Sequence, residues 1–144
     1  VNLGGQIARF PWEGRQAVAV GGKTFSVTAG PHAETSRVSY TVPANKTALL
    51  LAASGSVFRA SSPTTYGAIH VKVRVDRGGA VYDYPFVVGV QGSTLLFTNS
   101  RSVGLLVPLF TADVLDMVTS DASTGGTVDF WGSVSIIEFD TLGA

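Results

Sequence analysis

Ile69-His70-Val71-Lys72-Val73-Arg74-Val75-Asp76 decides the fold class. Successive side chains of an extended chain point to opposite sides. Ile69, Val71, Val73 and Val75 therefore share one face, and His70, Lys72, Arg74 and Asp76 share the other. Strict alternation of this kind marks a strand with one face in a core and one in water. The run closes at Arg77-Gly78-Gly79, a turn.

Working outward, strand signals recur at short intervals between turn residues. Arg15–Val20 and Thr24–Val27 flank Gly21-Gly22-Lys23 and predict a hairpin. Ser36–Val42 alternates and stops at Pro43-Ala44-Asn45-Lys46. Thr47–Ala53 is almost wholly apolar, as in a strand buried on both faces, with Ser56–Ala60 continuing it past a kink at Gly55. Val81–Val90 carries Pro85, which points to an edge strand or a bulge. Ser93–Thr98, Val103–Phe110, Asp113–Thr119 and Thr127–Phe139 complete the set, with a bulge or bend expected at Gly132. Val103–Phe110 reads as buried on both faces, in the core or at a subunit contact, and Thr111–Ser120 holds one helical turn's worth of apolar spacing. The fold class is all-β: a single antiparallel sandwich of jelly-roll type with about nine or ten strands. Residues 31–144 form the sandwich, and residues 1–30, rich in glycine, form either its first strands or an arm.

Composition bounds the function. Only 14% of the 144 residues are charged while 45% are hydrophobic, and no run is long enough to cross a membrane as a helix. Ten basic and ten acidic residues cancel, and the basic ones are scattered, so neither nucleic acid nor a membrane surface is implied as a partner. Cysteine is absent, which removes disulfides, thiol catalysis and thiolate metal sites. Low charge and a positive mean hydropathy favour association with other copies.

Catalytic and metal chemistry find little support. His32 and His70 are the whole imidazole inventory, and both read as solvated. Gly55-Ser56 and Gly132-Ser133 lack the Gly-x-Ser-x-Gly pattern of a nucleophile elbow. Glu13, Glu34, Asp129 and Glu138, the carboxylates available for glycoside chemistry, are dispersed. Asp113, Asp116, Asp121 and Asp129 do not match a calcium loop, and Asp121-Ala122-Ser123-Thr124-Gly125-Gly126 reads as a turn. No catalytic residue, metal ligand or cofactor is assigned. Two surface roles remain. Leu3, Ile7, Phe10 and Trp12, with Leu105 and Leu106, are the expected assembly contacts, and Tyr66, Tyr82 and Tyr84 are the side chains available to stack a ligand.

Two stretches carry a family resemblance. Tyr40-Thr41-Val42-Pro43-Ala44-Asn45-Lys46-Thr47-Ala48-Leu49-Leu50 resembles the "Y-x-V-P-A-G-K-x-x-L-L" strand pair of small β-sandwich structural proteins of tailed bacteriophages. Phe110-Thr111-Ala112-Asp113-Val114, then Thr119 to Val128 and Glu138-Phe139-Asp140, are similar to their closing "L-x-A-G-D-x-V", "T-S-D-x-S-T-G-G-T-V" and "E-F-D" segments. Asn45 and Ala112 stand where that family has glycine. The resemblance implies a non-enzymatic virion protein on the capsid surface or tail. The leading expectation is a decoration (cement) homotrimer that bridges subunits of the major capsid protein. The alternative is a receptor- or carbohydrate-binding module of a tail or fibre.

Overall fold

A computed structural model describes residues 17–89 and 98–140. Its eight strands are β1 (Ala17–Ala29), β2 (His32–Thr41), β3 (Lys46–Ser61), β4 (Ile69–Arg77), β5 (Ala80–Gly89), β6 (Thr98–Leu109), β7 (Val114–Asp121) and β8 (Thr127–Asp140). They form two four-stranded antiparallel sheets, β1-β8-β3-β6 and β2-β7-β4-β5. β1 pairs with β8, β2 with β7, β3 with β6 and β4 with β5. These nested pairs describe one long hairpin rolled into a sandwich, and the roll is sealed where β3 meets β8 and β4 meets β7. Only the β4–β5 connection stays within a sheet. This is jelly-roll topology.

The β4 alternation is realised side chain by side chain. Ile69, Val71, Val73 and Val75 are fully buried, opposite Leu50, Val57, Phe130 and Val134 of the other sheet. Tertiary pairing overrides the local reading elsewhere. Residues 21–23 continue β1 without a turn, because β8 offers an uninterrupted partner from Val128 to Phe139. β3 runs through Gly55, and its register shifts between Leu50 and Ala52 instead. The short helical signal at Thr111–Ser120 belongs to β7, whose Leu115 and Met117 face the core. Gly132 interrupts neither pairing of β8, whose register runs through it without a shift. A Cβ there would stand 2.5 Å from the Phe25 ring and 2.8 Å from the Met117 methyl, so the missing side chain makes room for core packing. Pro85 sits on edge strand β5 at a register shift, as expected.

The two family departures are resolved by backbone geometry. Asn45 and Ala112 both adopt left-handed φ, 60° and 71°. For Ala112 this costs about 1–2 kcal/mol. Hydrogen bonds Ala112 N to Val42 O, Val42 N to Asp113 O and Asp113 N to Phe110 O hold the turn in place.

Candidate assembly interface

Among the described residues, β5 and β6 are the edge strands on the same side of the two sheets. Each carries a proline, Pro85 or Pro108, which has no N–H to offer an adding strand. Between them lies a groove of about 230 Å³ lined by Val75, Arg77, Tyr82, Tyr84, Val107 and Pro108. Tyr84 packs against the core, while Tyr82 is 49% exposed. Val81, beside Tyr82, is 53% exposed, and Leu106, beside Val107, is 75% exposed. Phe110 follows at the end of β6, with the Arg77 guanidinium 4.7 Å from its ring centroid. Among the described residues, four of the six exposed large hydrophobic side chains thus lie on or next to β5 and β6, with Val81 on the outer face of one sheet, Leu106 on the outer face of the other and Tyr82 between them. Isolated exposed apolar residues are ordinary; their concentration marks an interaction surface.

The charge within this edge is neutralised internally. Asp113 is buried and accepts hydrogen bonds from Arg77 Nε at 2.9 Å, Arg77 Nη2 at 2.7 Å and the Phe110 N–H at 2.9 Å. Arg77 Nη2 also donates to the Pro108 carbonyl at 2.9 Å. The Asp113 contact raises the Arg77 pKa above its usual value. A partner docking here meets apolar surface and a fixed, paired cation.

Two separately expected sets of residues meet at this edge. Leu106 lies on its rim, Leu105 turns inward against the core, and Tyr82 and Tyr84 line the groove. Val103–Phe110, expected to be buried in the core or at a subunit contact, belongs among the described residues to edge strand β6, and Leu106 points away from the core of the single chain. Tyr66 lies elsewhere, in the β3–β4 loop, with the Arg59 guanidinium 5.6 Å from its ring centroid. Leu3, Ile7, Phe10 and Trp12 lie outside the described residues, as does Glu13. Val81 and the Arg77–Asp113 pair were not anticipated. The only signal was the turn resemblance around Asp113, which carried no hint of the arginine.

The remaining polar candidates are dispersed. Asp116 accepts from Ser36, Asp129 from Thr28 and Glu138 from the Tyr40 hydroxyl. Burial and the Glu138 carboxylate push the Tyr40 pKa well above its usual value. No cluster of three or more His, Asp or Glu side chains suited to a metal occurs among the described residues. His32 is not solvated. It is half-buried, its ring meets Phe130 edge-on, and Nδ1 lies 2.7 Å from the Gly30 carbonyl. That carbonyl can only accept, so Nδ1 carries a proton, while Nε2 faces Thr119 Oγ1 and Arg37 Nη2.

Lys72 and Arg74, on the wet face of β4, bind Asp83 of β5 and Glu34 of β2. The network bridges β7 and covers Val118, an outward-facing side chain only 3% exposed. Hydrogen bonds from Arg74 and Lys72 hold the Asp83 carboxyl down at about 2, and those from Lys72 and Arg74 lower Glu34. Depressed carboxylates stabilise the fold above the ordinary carboxylate range, and that contribution is lost as the pH falls toward about 2. The groups are partly exposed, so the effect is screened and amounts to less than about 1 kcal/mol. Thermal melts at low salt are expected to fall more steeply from pH 4 to pH 2 for the wild type than for Asp83→Asn. Parallel curves would show that the network contributes nothing.

No protein-family profile matches the sequence, and no characterised protein does at the level of sequence. Solved structures do match. The chain is similar to the protein of T=1 particles derived from infectious bursal virus, at 12% identity and a TM-score of 0.50, over 89% of this chain and 37% of that one. A VP2 subviral particle of infectious bursal disease virus aligns at 12% identity and a TM-score of 0.46, over 89% and 39%. The chain spans well under half the length of either protein. At such identity the likeness to the first of these shows a shared β-sandwich fold.

Proposed function

We propose that the chain is a non-enzymatic structural subunit of a virion, and that the β5/β6 edge is its assembly contact. The carrying observation is the concentration of Val81, Tyr82, Leu106 and Phe110 on that edge, with the nearby charge already paired. The finer reading is a capsid decoration (cement) trimer seated across subunits of the major capsid protein, on the capsid surface. The phage-type turns around Asn45 and Asp113 support it, as does a fold shared with a protein that forms T=1 particles. In a ring of three, each copy meets its neighbour head to tail, so an edge and its partner surface both become buried. Each such contact adds roughly 25 cal/mol per Å² of apolar area, and a protein spanning two shell subunits opposes their separation.

Leu106→Asp tests the edge. Leu106 is 75% exposed in the single chain, so the variant is expected to keep the wild-type circular dichroism and melting temperature. Association measured by light scattering should be lost. A variant that associates like the wild type removes the edge from the assembly. Electron microscopy of the purified chain then separates the finer readings: discrete trimers fit a decoration protein, and closed particles make the chain itself the shell subunit.

A further inference from the structure

The outward face of the β1-β8-β3-β6 sheet is unlike the rest of the surface. Away from the β6 edge, its described outward positions include Gly22, Thr24, Ser26 and Thr28 on β1, Asp129, Trp131, Ser133 and Ser135 on β8, and Ala52, Ser54, Ser56 and Phe58 on β3. Asp129 is the one charge among them, and it is hydrogen-bonded to Thr28. The opposite outer face carries Glu34, Lys72, Arg74, Asp83 and Asp116. Two features rise from or sink into the uncharged face. Trp131 is 42% exposed and lies diagonally next to Phe58, which is 40% exposed. Further along β8 is a depression of about 170 Å³ lined by Ala52, Ala53, Ser54, Ser133 and Ser135. A cavity of about 150 Å³ accepts a benzene ring, so the depression has room for an aromatic side chain.

We propose that this face binds a second copy of the chain about a two-fold axis, with Trp131 of each copy seated in the depression of the other. Trp131 lies about 10 Å along β8 from the middle of the depression, three residues at the rise of a strand. An axis lying in the face, across the strands and midway between the two features, exchanges them. Projection and recess on one surface are then self-complementary, the condition for an isologous contact. The area is adequate. The three strands β1, β8 and β3, spaced about 4.8 Å apart and about 13 residues long, cover roughly 600 Å², the share per partner at the lower end of stable interfaces, about 600 Å². Almost no charge loses water on docking, and a central tryptophan ringed by small side chains is the usual form of an energetic anchor. This contact is separate from the β5/β6 edge, so a subunit can use both.

The chain has no cysteine, so single-cysteine variants of the full chain report one position each. Ser133 lies nearest the axis, and Ser39 is exposed on the opposite sheet, opposite Asp116. Under mild oxidation Ser133→Cys is expected to give covalent dimers on a denaturing gel, and Ser39→Cys is not. Adding Trp131→Ala to Ser133→Cys should reduce the cross-linking about tenfold or more. Leu106→Asp should leave it in place, so loss of the edge and loss of this face are read separately. Cross-linking of Ser133→Cys no greater than that of Ser39→Cys, or indifferent to Trp131→Ala, overturns the two-fold contact.

Discussion

Asp121→Ala is expected to destabilise the fold by about 3–5 kcal/mol, because it strands a buried guanidinium. Arg59 reaches inward from β3 and Asp121 from β7, and neither side chain has any exposed surface. Arg59 Nη1 stands 3.9 Å from Asp121 Oδ2, and Nη2 donates to Ser123 Oγ at 3.0 Å. Asp121 Oδ1 accepts the Ser123 N–H at 2.8 Å, and Ser123 Oγ accepts the Gly67 N–H at 3.1 Å. The pair therefore ties the β3–β4 loop to the β7–β8 turn. It is an imperfect pair, since Arg59 Nε and Nη1 and Asp121 Oδ2 make no hydrogen bond to the protein. Its net contribution should be small even though removing either half is severe. Replacing both, Arg59→Met with Asp121→Leu, is expected to recover most of the loss, because apolar residues of similar volume often substitute for a buried ion pair at little cost. Urea unfolding of the two single variants and the double variant reads the coupling directly. Additive losses would show that the two groups do not act as a pair.

The second large effect is expected from Gly67→Ala, about 3 kcal/mol. A Cβ at Gly67 would stand 2.3 Å from the carbonyl carbon and oxygen of Ala122 and 2.6 Å from the Ser123 nitrogen. These are backbone atoms, so no rotamer change relieves the overlap. The loop must withdraw, and with it go the hydrogen bonds Ala122 N to Ala68 O and Thr124 N to Thr65 O. Gly104→Ala is the control: nothing lies within 4 Å of a Cβ there, and the lower backbone entropy of alanine should make the change neutral or mildly stabilising. Equal melting temperatures for the two variants would show that the close approach at Gly67 does not constrain the fold.

Both predictions concern one corner of the sandwich, and the sequence announced only half of it. Asp121 to Gly126 was legible as a turn, since Asp and Ser bond back to the backbone and glycine takes positive φ; Gly125 and Gly126 do so, at 71° and 75°. Arg59 was not legible, because it sits at an inward position of a strand that reads as simple alternation. Burial of arginine depends on a partner about sixty residues away, and no local pattern records such a partner. The expectation that His32 is solvated failed for the same reason, since Thr119 and Arg37 enclose it only after β2 pairs with β7.

The sequence by itself determined the fold class. Period-two alternation in β4, turn residues at the strand ends and the lack of sustained helical spacing leave an antiparallel sandwich as the way to bury Ile69, Val71, Val73 and Val75. It also determined that this surface is poor in charge. The tertiary structure decided which strands are edges, and therefore where the apolar surface is left open. Leu105 and Leu106 are indistinguishable in the sequence, yet one packs on the core and the other faces outward. Trp131 and its recess come from β8 and β3, about eighty residues apart, and only the pairing of those strands sets them on one face. The physical reason is that hydrophobic periodicity is local, whereas exposure depends on which neighbour a strand lacks.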